Sequence, residues 1–113
     1  MVRSSSALSH HGNVGSLTIN PVIYAEVSVR FGTIEELAEV LPAEVFEYRP
    51  IPPEASFLAG KCFMQYGRRG GKKTLPLPDF LIGAHAAVEK LPLLTRDAGR
   101  FRDYFPSVEL ICP

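Results

Sequence analysis

The chain has 113 residues, of which 46% are hydrophobic, and its twelve lysines and arginines are matched by twelve acids, for zero net charge. That length and apolar share suit a single domain with its own core. The charge balance excludes a nucleic-acid partner held by bulk charge alone, so any such partner depends on local patches. No apolar run approaches the ~20 residues of a bilayer span, and the amino terminus lacks the apolar core of a secretory signal. Cys62 and Cys112 have neither CxxC spacing nor a nearby histidine cluster. They read as reduced thiols of a cytoplasmic protein, not as a disulfide scaffold or a zinc site.

Residues 1–16 are rich in Ser, His and Gly and weakly patterned, with room for one frayed helical turn around Ser4–His11. Patterned sequence runs from residue 17 to 113 as one domain. Leu17-Thr18-Ile19 predicts a short strand. Asn20-Pro21 supplies an N-cap followed by proline at the first helical position, so a helix carrying Val22, Ile23, Ala25 and Glu26 follows. Thr33 and Glu36 form a capping box. Behind it, Ile34, Leu37, Ala38 and Leu41 predict one buried helical stripe, which Pro42 helps to end. Phe46-Glu47-Tyr48-Arg49 predicts an edge strand before the prolines at 50, 52 and 53. The next helix places Ala55, Leu58, Ala59, Cys62, Phe63 and Tyr66 on one face and ends at Gly67. Arg68 to Lys73 is a basic, glycine-containing loop. A helix from about Pro78 to Lys90, a strand Leu93–Thr95, a short helix around Ala98–Tyr104 and a last strand Val108–Cys112 complete the chain. Strands alternating with helices predict a three-layer α/β fold with a mostly parallel sheet, whose ligands gather at the carboxyl ends of the strands.

The candidate chemistry lies in acids. Asp79 opens a helix and Asp97 follows a strand, and two carboxylates beside an apolar unit are costly unless a positive charge separates them. A divalent cation is the usual answer, and Mg²⁺ with its retained waters needs only two or three protein carboxylates. The plainer alternatives are a first-turn helix acid for Asp79 and an N-cap for Asp97. Glu26, between Ala25 and Val27, is either a third ligand or part of a solvated face. Arg68, Arg69, Lys72 and Lys73 either track an RNA backbone or form a solvated basic loop. His85, among alanines and far along its helix from Asp79, reads as a packed, hydrogen-bonded histidine and not as a general base. His10 and His11 read as solvent-exposed.

Three runs carry a resemblance: Ile19 to Ser28 (INPVIYAEVS), Leu77 to Ala86 (LPDFLIGAHA), and Leu94-Thr95-Arg96-Asp97. In this order and spacing they resemble PIN-domain proteins, and within these the VapC-type toxin ribonucleases of VapBC toxin–antitoxin modules. The resemblance implies a three-layer α/β/α fold and a metal-dependent endoribonuclease. Mg²⁺ or Mn²⁺ would activate water for attack on an RNA phosphodiester. By motif, Glu26, Asp79 and Asp97 match three of the family's usual four acids, and Thr95 matches a small polar residue that orders the site. A homodimer and a cognate antitoxin are implied partners. The first strand of the family and its Asp have no counterpart in residues 1–16, which contain no acid, so the expected domain lacks that strand. The competing expectation is a non-catalytic remnant that keeps only a dimerisation or antitoxin-binding surface.

Overall fold

The computed structural model describes residues 17–68, 77–95 and 98–111. The expected turn around Ser4–His11, with His10 and His11, lies outside them. So do Arg69, Lys72, Lys73, Asp97 and Cys112. The chain runs β1 (Leu17–Ile19), α1 (Pro21–Ser28), α2 (Ile34–Val40), β2 (Phe46–Tyr48), α3 (Pro53–Arg68), α4 (Leu77–Val88), β3 (Leu93–Leu94), α5 (Ala98–Arg102) and β4 (Leu110–Ile111).

The local signals explain where the first helices begin. Asn20 is extended, its Oδ1 accepts from the Ile23 N–H at 2.9 Å, and Pro21 occupies the position whose N–H would have no helical acceptor. Thr33 Oγ1 accepts from Glu36 N–H at 3.2 Å, while Glu36 Oε2 reaches back past Thr33 to Gly32 N–H at 3.3 Å. The box therefore closes one residue further out than the standard pattern. The stripe expected on α2 is narrower than the periodicity implies. Only Leu37 is buried, and Ile34 is 67% exposed, because this seven-residue helix meets the rest of the protein on a single turn.

The strands correct the expected fold class. β1 pairs with β2 and β3 pairs with β4, both in parallel, but these are two separate two-stranded sheets among the described residues. The register sets Leu17 opposite Phe46 in the first and Leu93 opposite Leu110 in the second. A three-layer α/β/α sandwich with one mostly parallel sheet requires a continuous hydrogen-bonded layer. Strands of two and three residues make few ladder bonds each, and β1 and β3 have no described ladder joining them.

Helix α4 takes the central place that a sheet would have held. It buries Asp79, Phe80, Ile82, Gly83, Ala84, His85 and Ala86, nearly its whole circumference, as a helix enclosed by other elements must. Its main neighbour is α3, which presents the small residues Ala55, Ala59 and Cys62 at i, i+4 and i+7. Small side chains let the two helix axes approach closely. Phe63 of the expected α3 face is instead 42% exposed, although its ring still meets that of Phe80 at 5.8 Å.

Phe80, fully buried, is the hub of an aromatic cluster. Its centroid lies 5.6 Å from Tyr66, 5.2 Å from Tyr104 and 6.3 Å from Phe105, in tilted or edge-to-face geometry. Such pairs contribute about 0.5–1.5 kcal/mol each beyond area burial. The cluster ties α3 and α4 to the segment that follows α5.

Candidate functional site

Among the described residues, four polar side chains are fully buried: Asn20, Asp79, His85 and Thr95. Buried polar groups need partners, since an unmet one costs about 1–3 kcal/mol. Asn20 directly follows β1 and Thr95 directly follows β3, so both occupy carboxyl ends of strands. Asp79 lies in the first turn of α4, where the amino-terminal end of the helix dipole favours a negative charge.

The best-defined part of this polar interior is a chain of hydrogen bonds through His85. Asn20 Oδ1 is committed to the Ile23 N–H, and that backbone donor fixes which way the amide points. Asn20 Nδ2 therefore donates to His85 Nδ1 at 3.1 Å. The other ring nitrogen, Nε2, contacts Glu89 one helical turn later. The tautomer follows: Nδ1 carries the lone pair, and Nε2 carries the proton and donates it to the Glu89 carboxylate. Arg49 Nη1 stands 3.7 Å from the same carboxylate and its Nε is hydrogen-bonded to Glu47, a bond that raises the guanidinium pKa further. His85 is thus a packed, hydrogen-bonded histidine, as its position among alanines suggested.

The expected site residues fall in different settings. Glu26 is half-buried at the margin of α1, beside the buried pair Ile23 and Val27. Asp79 and Thr95 are fully enclosed. Arg68 is exposed in the last turn of α3. Asp97, Arg69, Lys72 and Lys73 lie outside the described residues, and no group of three His, Cys, Asp or Glu suited to a metal occurs among the described ones. Three residues that sequence reasoning left out, or left with one role, enter the polar network: Asn20, Glu89 and Arg49. The i, i+4 spacing of His85 and Glu89 was a readable signal for one link. Nothing local points from Asn20 to His85.

A second feature lies on the outside of α3. Phe57 is 68% exposed and Met64 42%, on one helical stripe with Gly60, around which a Cβ would meet nothing. Lys61 stands over the Phe57 ring, 5.1 Å from its centroid. No described helix is long and apolar enough to cross a membrane.

No protein-family model and no curated protein sequence matches the chain. Solved structures do. The fold is similar to that of a chain in VapBC2 from Rickettsia felis bound to a DNA fragment from its promoter, with TM-score 0.65 and 18% identity, covering 95% of this chain and 82% of that one. It is similar also to a chain in DNA-bound VapBC from Salmonella typhimurium, with TM-score 0.63, 15% identity and coverage of 95% and 81%. FitAcB from Neisseria gonorrhoeae gives TM-score 0.56, 17% identity and coverage of 81% and 71%. The identification as a VapC-type PIN toxin lacking its first strand does not stand. No PIN-family model matches, and the likeness at this identity is one of fold alone. The strands described here form two separate pairs instead of the expected single sheet. The chain has the fold of a component found in VapBC and FitAcB complexes.

Proposed function

We propose that this chain is one component of a two-protein toxin–antitoxin assembly. The carrying observation is its fold likeness, over 95% of its length, to chains of two VapBC complexes. The uncovered Phe57 and Met64 on α3 support a role that includes protein contact, since apolar side chains grouped on an exposed helix face suit a partner surface.

The finer reading is that the assembly acts on RNA through a divalent cation, with no membrane involved. Glu26, Asp79 and Asp97 would hold Mg²⁺ or Mn²⁺, with Thr95 beside them. Carboxylate oxygens are the ligands such hard cations prefer. When bound, the ion would lower the pKa of a water and stabilise charge on a phosphoryl oxygen. The chain's own contribution is placement. Asp79 and Thr95 are held without solvent exposure, so their positions depend on packing, and Arg68, with Arg69, Lys72 and Lys73, would meet phosphates. The test is Mn²⁺-dependent cleavage of a mixed RNA pool by the purified chain and by Asp79→Asn. Cleavage by the parent and at least a hundredfold loss in the variant support RNA hydrolysis. Antitoxin-peptide binding with no metal-dependent cleavage would leave a partner-binding protein without catalysis.

A further inference from the structure

A cleft of about 420 Å³ opens where the end of α4 meets the starts of β3 and β4. Small-molecule sites span roughly 300–1,000 Å³, so it has room for one small ligand. Its apolar wall includes the buried Ala86 and Val108 and the half-buried Leu91. Its rim carries the exposed Lys90, Ser107 and Glu109. β3 and β4 are parallel, so the cleft lies at their amino ends, whereas Thr95 follows the carboxyl end of β3. Asp79 lies in the first turn of α4, about 16 Å along the helix from Lys90 at 1.5 Å per residue. The cleft is therefore separate from the polar interior around Asp79 and Thr95.

Two observations single out its rim. The first is backbone strain. α4 closes with Leu91 N–H donating to the Ala86 carbonyl at 2.9 Å and Lys90 N–H donating to the Ala87 carbonyl at 3.3 Å, the paired bonds of a Schellman closure. That closure needs a residue in the left-handed region, where glycine is the usual occupant. Lys90 stands there instead, with φ 55°, a conformation that a Cβ disfavours. Strain of this kind clusters at ligand sites, where the surrounding structure holds it. The second observation is charge. Lys90 and Glu109 bring opposite charges to one cleft, yet among the described residues neither forms an ion pair. We propose that the cleft binds a small zwitterion with an apolar body, a free aliphatic α-amino acid. The Lys90 ammonium takes the ligand's carboxylate and the Glu109 carboxylate takes its ammonium. The Ser107 hydroxyl, both donor and acceptor, serves either group. The alkyl side chain lies on Ala86, Leu91 and Val108. The carboxyl end of α4 favours a positive charge, which adds to the pull on the ligand's ammonium.

The experiment titrates the full chain with L-leucine and follows its backbone amides by NMR. The amides of Leu91, Ser107, Val108 and Glu109 should shift together and saturate, with a Kd of about 1 mM or tighter. Two probes of the same alkyl body each lack one charge: 4-methylpentanoate has no ammonium and isoamylamine has no carboxylate. Each should bind at least about tenfold more weakly, the effect of about 1.4 kcal/mol. Lys90→Gly keeps the helix closure and relieves its strain, so the variant should be at least as resistant to urea as the parent and still lose leucine affinity about tenfold or more. Glu109→Gln, on an exposed residue, should lose it likewise. Absence of saturable shifts at these four amides overturns the proposal. So does equal affinity for leucine and either singly charged probe, and so does parent-like leucine binding by Lys90→Gly or by Glu109→Gln.

Discussion

Gly83 and Phe105 share one position in the core. A Cβ built on Gly83 would overlap the Cδ2 and Cε2 atoms of the Phe105 ring and stand 3.2 Å from Cδ1 of Phe101. Phe105 is 2% exposed and Phe101 1%, so neither ring has open space to retreat into. The glycine in the middle of α4 costs helix propensity, about 1 kcal/mol relative to alanine. Its return is the flat ring of Phe105 lying directly on the helix backbone.

Gly83→Ala should therefore destabilise the fold in spite of its better helix propensity. Overpacking of this kind costs about 1–3 kcal/mol, and a lower urea midpoint with unchanged slope is the expected result. Adding Phe105→Leu should recover part of the loss, since the two positions are in contact and couple in a double-mutant cycle.

The two phenylalanines Phe80 and Phe57 should separate stability from surface. Phe80→Ala empties the centre of the aromatic cluster and should cost about 3–5 kcal/mol, enough to remove most of the stability of a small domain. Phe57→Ala acts on a ring that is 68% exposed and should shift stability by no more than about 0.5 kcal/mol. Urea denaturation of the two variants makes the comparison.

Asn20→Ala removes a cap and a partner at once. The cap alone is worth about 0.5–2 kcal/mol, and the orphaned His85 Nδ1 adds the cost of an unmet buried acceptor, about 1–3 kcal/mol. Thr33→Ala on the exposed α2 loses a cap only. Thermal denaturation should thus rank Asn20→Ala as the more destabilised of the two.

Burial pushes the Cys62 thiol above its ordinary value of 9.0. The folded state then keeps its proton where the unfolded chain would release it, so stability contributed this way is present below about pH 9 and declines as pH rises beyond it. Cys62→Ala should show a shallower loss of stability between pH 8 and pH 10 than the parent. In the parent, a maleimide should react with Cys62 at a rate that rises with denaturant, because the thiol is both enclosed and protonated.

The sequence was most legible where a residue's partner lies within one helical turn. The caps at Asn20 and Thr33 and the proline start of α1 rest on contacts between neighbours in the chain. Legibility fell where the partner is distant. Ile34 has the right spacing for a buried stripe, yet α2 offers nothing for it to pack on. The alternation of strands and helices suggested one sheet, yet strand pairing is a long-range choice and the described strands chose two pairs. For the candidate site, the enclosure of Asp79 fits either of its readings, as first-turn acid or as ligand.

By itself, then, the sequence determined where several helices begin and which residues are apolar enough to form a core, because backbone capping and hydrophobic period are written over three or four residues. Only the tertiary structure decided that α4 lies at the centre, that Phe105 rests on Gly83, and that the amide of Asn20 meets the ring of His85. The last two join groups 22 and 65 residues apart. Such pairs form only after helices have packed, when the cost of leaving a buried donor or a hole unmet selects one arrangement among many.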